Sequence, residues 1–420
     1  MKSFAFRHGM AAPGPAPATP LIEETRTVSS VALYGHDYAG PRWKLLVEQG
    51  QEIACSAPVF CDRSHPALTI VSPCQGTVQA IELGARRAIE RVVVTVDPAA
   101  ETPFRKSVKT DAADKDAAIL CEFLMTSGLW SALRTRPFGL VPSIDETPSA
   151  ICVNACQKTG NNPDPDAMDS GERKAFARGA DALALLVEQS LHIAQTAINP
   201  LYEGSHPKIS AVRFKGAYCA HLASTHVHAL KLSSAETKVW TIGWQDVLAL
   251  GQALQTGTLS WTRKTMVGGD AANARLLTEA PIGASLRDLA TGLLRKPADK
   301  APMRVLSGDA IGGSPSSHLR RFDDCVSLQK ARAGLSPVVN TETGAPLTPR
   351  NALLNALPFG APSLPLMRAL MTHDFESAQK LGAEKMVEED VAQLTRQCGS
   401  GADYGQLLRA ALDTYAGARG

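Results

Sequence analysis

The spacing of apolar residues changes three times along this chain, and each change marks a different way of building a core. From Ser29 to Val96 the chain is short apolar runs cut by Gly and Pro, among them Val31-Ala-Leu, Pro58-Val-Phe, Thr69-Ile-Val and Val92-Val-Val-Thr-Val. Evenly spaced short strands with turn residues between them predict a small β barrel or sandwich over residues 29–100. Beyond a charged stretch at 99–117, Ile119, Leu120, Phe123 and Leu124 recur at helical spacing, and Gly128 supplies the left-handed stop such a helix needs. Ser149–Asn154, Ala211–Phe214 and Val239–Ile242 read as strands, Gln245–Leu254 as a helix, and Phe176, Leu183, Val187 and Leu191 as one helical face. This alternation predicts an α/β unit with a parallel sheet over residues 115–258. From Ser260 the order strand, Gly268-Gly269 turn, strand, short helix Ser285–Leu294 and strand Arg304–Ser307 suits a ubiquitin-like β-grasp unit over 259–330. Short helices fill residues 350–420, with Asp374 as an N-cap and Gly382 as a stop. Residues 1–28, with the Pro/Ala-rich stretch Ala11–Pro20, read as a flexible or laid-on arm.

The bulk numbers bound function mainly by exclusion. At 420 residues and 44% hydrophobic content the chain is too long for one core and apolar enough for several, so three or four domains are expected. With 43 basic against 41 acidic residues the net charge is +2, and no long-range field favours nucleic acid or an anionic membrane surface. No apolar run reaches the length of about eighteen residues that a membrane helix needs, and Arg7 and His8 interrupt the N-terminus before a signal-peptide core builds up. The expectation is a chain neither exported nor membrane-spanning. Nine cysteines scattered from Cys55 to Cys398 suggest reduced thiols in a bacterial-type cytoplasm rather than disulfide staples.

Two resemblances sharpen this. Val47–Ile53, Ala57–Phe60 and Ser72–Ile81 look like the barrel of biotinyl and lipoyl carrier domains, but Cys61–Leu68 has no lysine where a carrier places its modified one. The barrel is therefore expected to be structural. Ser127-Gly-Leu-Trp-Ser-Ala-Leu-Arg-Thr-Arg-Pro-Phe, followed by Thr147-Pro-Ser-Ala-Ile, resembles the A subunit of the bacterial sodium-translocating NADH:quinone reductase. Tyr34–Gly40, Gly84–Arg87, Gly204–Pro207, Thr225–His228, Val239–Val247, Pro281–Leu286, Glu388-Glu-Asp and Tyr404-Gly continue the likeness in order, over about nine-tenths of the chain.

That family is related to the flavoprotein subunit of respiratory complex I, which implies a Rossmann-like α/β domain but not its cofactors. The flavoprotein brings backbone N–H groups to phosphate with a glycine-rich loop; the corresponding place, Trp130–Phe138, is bulky and has no glycine. An iron–sulfur cluster needs converging thiolates, and the C-terminal helices offer Cys398 alone. Neither FMN nor an iron–sulfur cluster is expected on this chain, and nothing bound covalently.

The candidate site residues are Trp130, Arg134, Arg136 and Phe138, whose two aromatic faces and two permanent cations suit a quinone headgroup. The competing reading has the aromatics packing a domain junction and the arginines pairing acids on a partner. Tyr34 and Tyr38 are grouped with them. His226 and His228, at alternate positions of an expected strand, with His206, His221 and Cys219 nearby, are the candidates for zinc, against the more ordinary reading of satisfied histidines. Cys152 and Cys156 read as buried thiols before a redox pair, and Gly312-Gly313 as turn punctuation.

The resemblance implies a non-catalytic peripheral subunit, on the cytoplasmic face of the bacterial inner membrane, of a complex that passes electrons from NADH to ubiquinone and exports sodium. Its partners would be the other subunits, chiefly a quinone-binding integral membrane subunit, with no nucleic acid. The glycine-rich turns after residue 308 and the region Leu319–Leu357 depart from the family pattern. The alternatives are a docking subunit of a different flavin-dependent redox complex and a stand-alone binding protein for a hydrophobic small molecule.

Overall fold

The computed structural model describes residues 1–7, 9–11, 19–110, 112–232, 237–295, 303–330, 347, 351–354, 356–398 and 400–419. The short runs after Ser29 pair as two antiparallel sheets. Ser30–Tyr34, Ile89–Val96, Gly76–Leu83 and Glu52–Ile53 form one in that order; Trp43–Leu45, Pro58–Asp62 and Thr69–Val71 form the other. Val31, Val59, Phe60, Val78, Val92 and Val94 fill the space between them without measurable exposure. Strands Pro58–Asp62 and Thr69–Val71 are antiparallel neighbours, so residues 63–68 turn between them, with His65 beside the Asp62 carboxylate. Intact-mass measurement of chain from its native host is expected to show no lipoyl or biotinyl addition; an adduct of either mass would mean that another residue serves as carrier.

With the two barrel sheets counted together as the first layer, the second sheet has six strands in the order Lys2–Phe6, Ile209–Gly216, Ser190–Gln195, Ala150–Ala155, Val239–Gly243 and Arg134–Arg136. The first five run parallel and the last is antiparallel. Leu191 belongs to a strand, not to the expected helical face: Asp169 caps the helix Ser170–Leu183 with a reciprocal Glu172 contact, and the helix ends before Val187. That helix lies against Trp244–Thr256 at backbone contact. A Cβ on Gly251 would stand 1.7 Å from the Ala175 carbonyl oxygen, and one on Gly179 2.1 Å from that of Val247, so only glycine fits at the crossing.

A third sheet runs Leu21–Glu23, Arg275–Pro281, Thr262–Gly268, Cys325–Lys330, Met303–Ser307 and Ser314–Pro315. Thr262–Gly268 pairs antiparallel with Arg275–Pro281 and parallel with Cys325–Lys330; the helix shrinks to Leu286–Ala290. The strand Cys325–Lys330 falls in the region Leu319–Leu357 that departs from the family pattern, of which residues 331–346, 348–350 and 355 lie outside the described ones. The N-terminal arm is laid on as strand at two places: Lys2–Phe6 edges the second sheet and Leu21–Glu23 the third, while residues 12–18 lie outside the described residues. Phe4 and Phe6 stack on Phe214, which gives the arm an apolar anchor that its own sequence cannot supply.

Helices Ser363–Met371, Phe375–Lys380, Glu388–Gln397 and Tyr404–Arg419 close on a core of their own around Leu366, Leu370, Val391, Leu394, Tyr404 and Leu408. Asp374 accepts the Ser377 N–H, and Gly382 takes φ +94°, as the cap and stop readings require.

Candidate functional site

Asp116 caps the helix Ala117–Ser127 through the N–H groups of Ala118 and Ile119, and Gly128 ends it at φ +81°. The chain then turns sharply through Leu129–Ala132 and drops Trp130 into the interior. Trp130 is 1% exposed, sits edge-on to Trp240 at 5.4 Å, and donates its indole N–H to the Pro142 carbonyl at 3.0 Å. Its whole apolar area and its one polar atom are satisfied inside.

Arg134 and Arg136 lie two apart on an edge strand and so share one face. Arg134 reaches the Gly139 carbonyl at 3.2 Å and Glu388 at 3.4 Å, and lies over the Phe322 ring at 5.0 Å. Arg136, 4% exposed, reaches Glu389 at 3.5 Å and the Ser224 hydroxyl at 3.3 Å. Phe138, at φ +78°, leaves the sheet and packs against the core of the C-terminal helices. Tyr34 and Tyr38 do not join this group. The Tyr34 hydroxyl is 2.9 Å from that of Ser316, with Arg320 over its ring. Tyr38 is buried in the barrel against Trp43 and Phe60, and burial holds its hydroxyl far above the usual phenol range.

The two arginines face a cavity of about 130 Å³. It opens beyond the C-terminal ends of Ala150–Ala155 and Val239–Gly243. Here the sheet order reverses: the chain runs outward from Ala150–Ala155 to one side, then returns to place Val239–Gly243 on the other. Open parallel sheets form a crevice at this reversal. In this chain charge fills it. Asp246, in the first turn of Trp244–Thr256, pairs with Arg263 at 2.9 Å and Arg321 at 3.0 Å. Burial opposes ionisation of Asp246, but the two guanidinium groups outweigh it and hold its carboxyl below the usual range. Lys158 pairs with Glu389 at 3.2 Å; burial works against its charge, and Glu389, Asp309, Asp324 and Asp323 more than restore it. Asp323 bonds the Ser307 hydroxyl, and burial pushes it up to about 6. Lys158, Asp246, Arg321, Asp323 and Glu389 were not among the sequence candidates. The run Arg320-Arg-Phe-Asp-Asp is a visible signal for Arg321 and Asp323, since charge that dense in a chain of ordinary composition asks for partners, and Asp246 and Glu389 lie in segments that carry the family likeness.

His226 and His228 are not strand neighbours: both lie on the helix Ala223–Ala229, where residues two apart point to different sides. His226 is fully buried, 2.8 Å from the Ala220 carbonyl, and burial pushes it down to about 3. His228 stacks on Phe359 instead. Among the described residues no group of three or more His, Cys, Asp or Glu could hold a metal ion. Cys152 and Cys156 are buried thiols, the latter 3.7 Å from His226.

Two family models match this chain: the NqrA N-terminal barrel-sandwich hybrid domain over residues 5–97 and the NqrA second alpha/beta domain over residues 115–259. The A subunit of the Na(+)-translocating NADH-quinone reductase of Vibrio campbellii is 30% identical, over 97% of this chain and 98% of that one. This chain belongs to the NqrA family. The members from Rhodopirellula baltica, 31% identical over 94% and 93% of the two chains, and Saccharophagus degradans, 30% over 96% and 97%, match at similar length. The NqrA family thus accounts for the mixed α/β, multidomain architecture with its N-terminal barrel-sandwich hybrid. Among solved structures, a chain of the NAD+-reducing [NiFe]-hydrogenase in the H2-reduced state is 12% identical with a TM-score of 0.40, covering 71% of this chain and 64% of that one. This chain thus spans less than two thirds of that hydrogenase chain, and a likeness at that level bears on no conclusion.

Proposed function

We propose that this chain is the NqrA component of a Na(+)-translocating NADH-quinone reductase, a non-catalytic, peripheral member of the complex. The observation that carries the reading is the match to NqrA relatives along nearly the whole of both chains. No helix among the described residues is long and apolar enough to cross a membrane, which accords with attachment through partner subunits at the cytoplasmic face. The division into a barrel at 29–100, a Rossmann-like unit at 115–258, a β-grasp unit at 259–330 and a helical unit at 350–420 belongs to the same reading. Five parallel strands with an order reversal support the second, and a hairpin joined in parallel to a later strand supports the third. Affinity purification from native membranes, with identification of co-eluting chains, tests it: membrane and flavin subunits of the reductase are expected, and unrelated oxidoreductases would sink it.

Within that function we read the segment from Arg134 to Phe138 as a clamp between the α/β layer and the C-terminal helices. Arg134 holds Glu388, Arg136 holds Glu389, and Phe138 enters the helical core. Contact with ubiquinone is the second reading, favoured by the cavity that Arg134, Arg136 and Phe322 line together. Arg134→Ala and Phe138→Ala are expected to reduce co-purification with the membrane subunits and leave the affinity for a quinone analogue unchanged. A loss of about 1–3 kcal/mol in analogue binding, the usual cost of a charged hydrogen bond or a stacked ring, would install the ligand reading instead.

A further inference from the structure

The C-terminal helices are seated on the rest of the chain by three consecutive acids at the start of Glu388–Gln397, and the cations are divided unevenly among them. Glu388 takes Arg134 at 3.4 Å and Arg409 at 2.7 Å. Glu389 takes Arg136 at 3.5 Å and Lys158 at 3.2 Å. Asp390 is fully buried, and among the described residues no cation lies within ion-pair distance of it. Its Oδ2 accepts the Val387 N–H at 2.8 Å, while its Oδ1 has no hydrogen-bond partner. One turn on, Gln393 is 2% exposed and both its amide atoms are equally without partners. Gln393 follows on the same helix face, and a proton on Oδ1 would turn an orphan acceptor into a donor. Left ionised, the carboxylate would be a buried charge with no cation at ion-pair distance.

We propose that Asp390 carries a proton and acts as a latch: protonated, it keeps the C-terminal helices seated over the cavity that Glu389 lines, and its ionisation loosens them. The groups facing it are Glu389 and the Val387 N–H from its own element, Arg136 from the edge strand, the Ser224 hydroxyl from Ala223–Ala229, and the Cys219 thiol from the turn before that helix. Burial and the neighbouring Glu389 charge hold its carboxyl above the usual range, against the weaker opposing pulls of Ser224, Val387 and Arg136. Glu389 is shifted the other way: burial opposes its charge, but Lys158 and Arg136 prevail. The two acids therefore act on opposite sides of the pH scale. Asp390 binds its proton more tightly when seated than when released, so its contribution is complete at low pH and is lost as pH rises from the usual carboxylate range through neutrality. Glu389 contributes above that range, and its part is lost only on acidification.

Hydrogen exchange of residues 388–397 in the full chain, corrected for the intrinsic pH dependence of exchange, tests this between about pH 4 and pH 8. One linked proton can change protection by up to about tenfold per pH unit. Protection is expected to fall with rising pH up to about neutrality and to level off above it in the unaltered chain, and to stay level throughout in Asp390→Asn, which cannot ionise. Equal slopes in both, or a level profile in the unaltered chain, would overturn the latch. Should Asp390→Asn fail to fold, the infrared band of a protonated carboxyl in the unaltered chain decides: a band that fades across neutrality supports the proposal, and its absence at about pH 6 refutes it.

Discussion

Asp246→Asn is expected to destabilise the chain by about 3–5 kcal/mol, the range for breaking a buried ion pair by removing one partner, read as a lowered denaturant midpoint. The magnitude follows from what is left behind. Arg263 and Arg321 have side chains 9% and 4% exposed, and both spend guanidinium groups on this one carboxylate. A neutral amide of the same shape leaves two buried cations of the third-sheet unit without the carboxylate that the helix Trp244–Thr256 presents to them. The same pairing has an acid limb. Because Asp246 is held below the usual carboxylate range in the folded chain, its contribution is present at neutral pH and drains away as pH falls through that depressed value. Asp246→Asn should remove this limb of the acid unfolding curve as well as lower the midpoint; a midpoint within about 1 kcal/mol of the unaltered chain would show that the two arginines find other partners.

Trp130→Ala should cost a similar amount, about 3–5 kcal/mol, as a large aromatic removed from a closed core. Its indole is packed edge-on to Trp240, and the void would lie between the helix Ala117–Ser127 and the sheet, under backbone fixed by Gly128. The readout is the unfolding midpoint together with the fluorescence of the remaining tryptophans, since Trp240 loses its neighbour. A stable variant with normal fluorescence would return Trp130 to the list of contact residues. Trp130→Phe, which keeps part of the ring and loses the bond to Pro142, should fall between the two.

What the sequence showed of this architecture depended on how local each cause is. The barrel strands are written in runs and turns a few residues apart, and Asp374 and Gly382 act on their own helix, so they could be read directly. In the sequence Leu191 falls on a helical face because Leu183, Val187 and Leu191 at spacings of four fit a helix, although Ser190–Ile193 also alternates polar and apolar as a strand does. The sequence reading sets His226 and His228 at alternate positions of a strand; the helix that holds them is seven residues long and has no side-chain cap to mark it. The cavity was hidden for another reason. Asp246, Arg263, Arg321 and Glu389 come from four separate stretches, and no spacing in a single sequence announces that they will meet. The aromatic and cationic character of Trp130–Phe138 was plain, but whether a cation faces a ligand or an acid some 250 residues away, as Arg134 faces Glu388, is decided by tertiary placement.

The arm at the beginning of the chain has a temporal consequence. Lys2–Phe6 lies beside Val212–Gly216, and Leu21–Glu23 beside Arg275–Leu277. A ribosome makes these two short strands long before their partners, so each must wait for its place. The barrel can close while the arm still hangs free, because every strand of its two sheets lies between residues 30 and 96. The second and third sheets cannot reach their full width until the arm returns across them. Closing so long a loop adds little entropy beyond a shorter one, but it delays the event, and the arm completes the edge of each layer rather than seeding it.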